Sequence, residues 1–482
     1  MFRVESTSSF ADSANRDRRR KRTSPPAVPT SCRRQSAGSA KSDAADQDPA
    51  RNSGRSPVGV LEPDVVNFAG WYLLPSRQLS ECWDTHALVL AFSKICCPQR
   101  HTESQRLLIS LPQMISTAAP DSAIVLTCRA IGNAFLTCKV DTAEARSKRA
   151  ATYGEALTAI NVALEDPRLQ ILDDTLASVW LLSQYELIVS SGHATHTGNS
   201  PQKRGIDSWI VHTQGLMSLL RLRGTAQLHT PTSRGLFWLV YNTIQVRCFI
   251  TGSDSPAESL SWFQGLEQNL AEEETPTYRI CLYAHRASTL CAQFRHFINH
   301  GTTPTSNTAG ELLAEAERFE GEMQQSWDDG EDTFAARRAA DAFSYRILCC
   351  RAFFYAFRLK FQLTLLELLN KVRAETHDSH STRAVQDQLE TRVRTAQSAA
   401  DEILACVPPI FSTDASPGVA SRLKPTLWAD GVRMLWPLRL VALWSATRED
   451  QKRAALTTLH QISDELGIRP DPSAFVRPVY VP

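Results

Sequence analysis

The residue types that could do chemistry in this chain are scattered, and few share a useful spacing. His193 and His196 stand as HxxH within SSGHATHTGNSPQKR. Two imidazoles at that spacing can hold one transition-metal ion, but the stretch is polar and reads as a loop with solvated histidines. His296 and His300 lie four apart, on one helical face, without the intervening glutamate that a zinc-hydrolase pattern needs. His377 and His380 fall in a polar stretch. Asp173-Asp174 could form a carboxylate pair, and helix capping accounts for them without chemistry. Cys96-Cys97 and Cys349-Cys350 are adjacent pairs in helical patterns, where neighbouring side chains diverge, so a shared metal or a disulfide is not expected. No GxSxG, GxGxxG or P-loop occurs. The expectation is no catalytic, cofactor-binding or metal-ligating set, no cofactor, and a chain that is not an enzyme.

The elements that would have to position such residues are helical throughout. Residues 84–97, 104–118 and 121–140 have apolar residues recurring at three and four, punctuated by Pro98, Pro112 and Pro120. Strand-like alternation is scarce, and hairpin signals between strand-like runs are absent. Tyr153–Leu164 puts Leu157, Ile160 and Leu164 on one face, and Asp173 or Asp174 is expected to cap the helix of Leu176, Val179, Trp180, Leu182 and Leu187. After the polar loop 190–204, Trp209, His212, Leu216, Leu219 and Leu220 again follow helical spacing. Gly215 sits on or beside that stripe, where it costs about 1 kcal/mol relative to Ala, offset by close approach of a neighbouring helix. Arg221 and Arg223 in the last turn and Gly224 just beyond it predict a helix end with a left-handed cap. His212 reads as a hydrogen-bonded structural residue. Further helices are expected over 236–250, 278–299, 310–326, 340–370, 382–406, 425–445 and 449–466. Asp328-Asp329-Gly330 is placed between helical patterns, Pro408-Pro409 as a break, and Pro437 as a kink or split. The fold class is all-α: a large irregular helical domain over 65–480, preceded by a disordered basic tail over 1–64.

Charge distribution supports that division. The chain of 482 residues carries a net +1, yet residues 1–60 hold 12 Lys and Arg against 6 Asp and Glu. The body is therefore mildly acidic and the tail basic, an asymmetry that suits an anionic partner for the tail. Within it, Arg16, Arg18, Arg19, Arg20, Lys21 and Arg22 form a block that reads as a nuclear-import signal or a phosphate contact. The tail is too poor in apolar residues to offset the entropy of ordering. The 12 cysteines include no CxxC, and the N-terminus lacks the apolar core of a secretory signal, which favours a reducing compartment. No charge-free apolar run reaches 18 residues, so no membrane span is expected.

Residues 153–250 resemble the C-terminal regulatory domain of fungal zinc-cluster transcription factors. The likeness lies in YGEAL…ALEDP, in DDTLASVWLLSQYE, and in His212-Thr-Gln-Gly215 leading through LMSLLRLRG to Arg223 and Gly224. SRGLFWLVYNTIQVRC, WPLRLVALWSA and LHQISDELGIRPDP fit as well, so the resemblance covers most of 65–480 in patches. It implies a nuclear transcriptional regulator, often of a metabolic or secondary-metabolite gene cluster. In that family six cysteines hold two zinc ions that support DNA reading, and thiolates paired by CxxC spacing suit zinc. Here only Cys32 precedes Cys82, so these residues cannot build a six-thiolate cluster. The implied partners are then proteins, among them a DNA-binding transcription factor, with any DNA contact made without a zinc cluster. Two other readings stay open on the residues: a helical interaction scaffold outside transcription, and a biosynthetic enzyme with a site that converges only in three dimensions.

Overall fold

The computed structural model describes residues 83–95, 106–190, 201–301, 308–335, 341–375, 379–411 and 428–466, and all regular structure among them is helical. The expected disordered tail, the Arg16–Arg22 block, the loop histidines His193 and His196, and Cys96-Cys97 lie outside the described residues. The helices are α1 (Trp83–Ile95), α2 (Arg106–Thr117), α3 (Ala123–Lys139), α4 (Ala143–Glu165), α5 (Asp173–Ser190), α6 (Pro201–Arg223), α7 (Pro231–Thr251), α8 (Ser259–Glu267), α9 (Thr275–His300), α10 (Ala309–Ala335), α11 (Asp341–Glu375), α12 (Ser379–Ala405), α13 (Val407–Phe411), α14 (Trp428–Leu443) and α15 (Glu449–Leu466). Short 3₁₀ turns at Gly224–Leu228 and Glu272–Glu274 lead towards α7 and α9.

Helix starts follow local chemistry. Thr142 accepts a hydrogen bond from the Ala145 amide at 3.1 Å, and Thr230 accepts one from Ser233 at 3.2 Å, with Pro231 in the first turn. Thr308 and Glu311 form a reciprocal capping box: the Thr308 amide donates to Glu311 Oε2 at 2.7 Å and the Glu311 amide to Thr308 Oγ1 at 3.3 Å. Gly224 sits at φ +58°, the left-handed conformation that the sequence predicts for it. Several expectations need correction. Pro112 and Pro437 lie inside continuous helices, so neither splits its helix; α12 does end at Ala405, ahead of Pro408-Pro409, but the short α13 then runs through those two prolines. Asp328-Asp329-Gly330 belongs to α10, which extends nine residues past its expected end. A proline removes one helical donor and crowds one carbonyl, and here burial of the flanking Met434, Leu435, Trp436 and Leu438 holds the helix together around that defect.

The centre of the packing is α11. Its residues from Ala352 to Leu369 are buried nearly all the way round, as expected of a core helix rather than a surface one. Phe357 meets Phe249 of α7 at 5.0 Å and Trp436 of α14 at 4.9 Å. Phe354 stacks on Trp327 of α10 at 4.2 Å, and Phe361 meets Phe294 of α9 at 5.8 Å. The charges that interrupt this apolar sequence reach facing helices: Arg351 donates to Glu402 of α12 at 2.6 Å, and Arg358 lies 3.6 Å from Glu320 of α10. Consecutive helices pack as pairs, α3 with α4, α5 with α6, α11 with α12 and α14 with α15.

One close approach has no mark in the sequence. A Cβ built on Gly132 of α3 would lie 1.9 Å from the Ala87 carbonyl oxygen of α1, with backbone and not a yielding side chain in the way. Gly132→Ala should therefore force α1 and α3 apart and lower stability by about 1–3 kcal/mol. Gly154→Ala in α4, where a Cβ meets nothing within 4 Å, should be neutral or raise stability. Thermal melts of the two variants check this, and equal melting temperatures would contradict the close-packing account.

Candidate functional site

The residues of the sequence signature converge at two junctions. At the first, the Tyr153 hydroxyl of α4 donates to Glu186 Oε1 of α5 at 2.5 Å, and His212 Nε2 of α6 lies 3.6 Å from the same oxygen. Glu186 and His212 have side chains only 12% and 14% exposed. The Tyr153 ring stacks on Tyr185 at 4.5 Å. Burial, then the Glu186 charge, pushes the Tyr153 phenol well above its ordinary range, and burial does the same at Tyr185 against the opposing pull of Arg149. One carboxylate thus ties three consecutive helices. His212 faces this carboxylate at a separation longer than a hydrogen bond.

At the second junction, Arg223 at the end of α6 donates to the Asp173 carboxylate at the start of α5 and to the Ile171 carbonyl at 2.8 Å. Ser233 of α7 donates to Asp173 Oδ2 at 3.0 Å. Asp173 is therefore a tertiary acceptor, lying in the first turn of α5, and not simply the expected cap. Burial and then the Asp173 charge raise the carboxyl of neighbouring Asp174 above its usual range. Gly224 follows directly, with its left-handed backbone turning the chain into the 3₁₀ segment. Gly215 is buried in the part of α6 that sends Leu216, Leu219 and Leu220 into the core.

A third ionic site lies outside the sequence signature. Arg234 of α7 donates through Nε to Glu274 Oε2 at 3.0 Å, and both side chains are almost fully buried, at 7% and 6% exposure. Glu274 also accepts from Trp238 Nε1 at 3.3 Å and from the Ala271 amide at 3.0 Å, while Arg234 Nη1 donates to the Leu228 and His229 carbonyls at 3.3 Å. A cation in the first turn of a helix opposes the helix dipole. That anomaly at Arg234, just after a Thr-Pro start, is the one signal of the site that the sequence carries.

Two concave features adjoin this frame. A cavity of about 130 Å³ lies among α5, α6, α7, α11 and α14, with Trp180, Trp209 and Trp436 on its wall. A wider groove of about 530 Å³ runs between α11 and α12, lined by Leu366, Leu389, Val393 and Trp444 with Glu367 and Arg373. Near that groove Lys360 is buried with its Nζ 4.4 Å from the centre of the Trp444 ring, and burial lowers its amine to about 8. Burial raises the Glu367 carboxyl, against the opposing pull of Lys360 and Arg295. The His296 and His300 rings lie 4.5 Å apart, tilted by 33°, near the end of α9, and His300 Nδ1 lies 3.1 Å from the His296 carbonyl, an intrahelical contact. Cys349 and Cys350 are buried in α11. Among the described residues no group of three or more His, Cys, Asp or Glu is placed to hold a metal ion. No helix among them is long and apolar enough to cross a membrane.

The model of the fungal specific transcription factor domain matches residues 90–468, nearly the whole helical body. The chain belongs to this family. Its role is accordingly that of a transcriptional regulator, and the signature helices α4–α7 are part of the matched domain. Neither the curated proteins nor the solved structures contain a match to it.

The buried Arg234–Glu274 pair makes a sharp expectation for this transcription factor domain. Glu274→Ala leaves a desolvated guanidinium, an indole N–H and an amide without their acceptor, and should cost about 3–5 kcal/mol. Replacing both partners with leucine removes both buried charges and should recover much of that loss. Chemical denaturation of the single and double variants measures the difference; a double variant no more stable than Glu274→Ala would refute it.

Proposed function

We propose that this chain is a nuclear transcriptional regulator of a metabolic or secondary-metabolite gene cluster, acting through its helical body over 65–480. The observation that carries the reading is the family match across residues 90–468, which takes in all the signature helices and leaves the basic N-terminal segment outside. The body serves as a protein-interaction and regulatory module, and a DNA-binding transcription factor is its partner. His212, Gly215, Arg223 and Gly224 are frame residues in this account: they hold α4, α5, α6 and the following turn in register and contact no target.

The segment 1–64 acts as a basic tail. Arg16, Arg18, Arg19, Arg20, Lys21 and Arg22 provide import into the nucleus, or contact with phosphate once there. Contacts of that kind add affinity without choosing a sequence, because bases are read by an ordered element placed in a groove. Target choice therefore falls to the partner. Mapping the 5′ end of the transcript would show whether an upstream segment with CxxC spacing restores direct DNA reading.

Two measurements test the proposal. A fluorescently tagged chain with Arg18–Arg22 changed to Ala should lose its nuclear accumulation; an unchanged nuclear signal would remove the import role. Chromatin occupancy in vivo should show enrichment at the promoters of one gene cluster, lost when the DNA-binding partner is deleted. No enrichment at any promoter would overturn the regulatory reading in favour of a scaffold outside transcription.

A further inference from the structure

The 130 Å³ cavity is built like a receptor for one aromatic ring. A protein cavity of roughly 150 Å³ has room for benzene, so the size here suits a single six-membered ring and not fused polycyclic molecules. Its wall carries the faces and edges of Trp180, Trp209, Phe353 and Trp436. Trp209 is 3% exposed, Trp180 6% and Trp436 7%, so these rings are fixed by the core on their far sides. Trp180 is further held by donating its Nε1–H to Thr243 Oγ1 at 3.3 Å. Leu239, Val246 and Phe353 are only partly buried, which places an opening on the α7 and α11 side.

The polar part of the wall is dominated by hydrogen-bond donors. Arg433 and Arg439 of α14 both line it, with Gln184, Asn242 and Thr243 as neutral hydrogen-bonding groups, and the described lining includes no carboxylate. Arg439 is 3% exposed and Gln184 3%. A guanidinium has five N–H donors, so one already engaged elsewhere in the protein retains donors for a ligand. Planar two-point pairing with a carboxylate is the geometry it favours. Aromatic walls, one-ring volume and a cationic edge together specify the ligand.

We propose that this cavity binds a monocyclic aromatic carboxylate, with the ring among the tryptophans and the carboxylate against the α14 arginines. The binding claim stands on the cavity and is independent of the transcriptional role. A ligand there touches α5, α6 and α7 on one side and α11 and α14 on the other, so it would tie the signature helices to the C-terminal ones.

Because three tryptophans line the site, the full-length protein reports on its own occupancy. Benzoate should quench tryptophan fluorescence saturably and at saturation raise the melting temperature by about 3 °C. Acetate, which lacks the ring and its apolar burial, and toluene, which lacks the carboxylate and so at least one charge-assisted hydrogen bond, should each bind at least about 10-fold more weakly. Val246→Phe should fill the cavity and abolish the benzoate response; Leu239→Phe does the same from the other side of the mouth should the first variant fail to fold. Arg433→Gln should weaken benzoate about 10-fold and leave toluene unchanged. Absence of a saturable benzoate response, or an undiminished response in a folded cavity-filled variant, overturns the site. Toluene binding as tightly as benzoate overturns the carboxylate assignment.

Discussion

The frame of this protein depends on an ion pair that is expensive to bury. Removing Arg234 and Glu274 from water costs several kcal/mol for each charge, and the structure offsets that by satisfying them on every side. Glu274 collects an arginine, an indole and a backbone amide; Arg234 collects the carboxylate and two carbonyls at the end of the 3₁₀ turn. The pair thereby fixes three segments at once: the turn after α6, the first turn of α7 and the start of α9. Asp173 joins α5 and α6 to the same place through Arg223 and Ser233. With those ends set, α7 and α9 present Phe249 and Phe294 to the aromatic face of α11, and the central helix has a defined seat.

Much of this architecture is legible in the amino-acid sequence. Periodicity locates the helices because burying an apolar stripe is what makes them form, and the left-handed Gly224 is readable because only glycine adopts that conformation without strain. Local rules fail where tertiary packing overrides them. Pro112 and Pro437 are helix breakers in isolation but sit in helices whose neighbouring residues are in the core. Glu272-Glu273-Glu274 has the composition of a solvated acidic run, and only the fold shows that its third member turns inward. Gly132 resembles any other helical glycine until Ala87 is brought against it. Such facts belong to pairs of residues far apart along the chain, and a single sequence taken in order does not display pairs.

The buried reactive groups are tuned by packing. Burial raises the thiols of Cys248 and Cys281, and raises Cys291 to about 11, so at neutral pH they are protonated and act as small apolar side chains. Lys360 is drawn the opposite way by the same cause, since burial disfavours any charged form. Its place over the Trp444 ring gives the ammonium form a partner that costs no hydrogen-bond acceptor. In this way α7 and α9 carry sulfur, and α11 carries charge, through an apolar centre.

The geometry at the two junctions of α4–α7 permits few substitutes. Arg223 reaches a carboxylate and a carbonyl together, which a lysine's single ammonium cannot reproduce in the same planar arrangement. Gly224 needs a positive φ, and Glu186 must accept from Tyr153 while facing His212. A frame built from such contacts leaves a sharp imprint in sequence. A surface that recognises a partner leaves a weaker one, since many combinations of side chains supply the same area and charge. The strongest pattern in the chain therefore reports how the regulator is held together, and its targets are encoded in residues that any one sequence leaves inconspicuous.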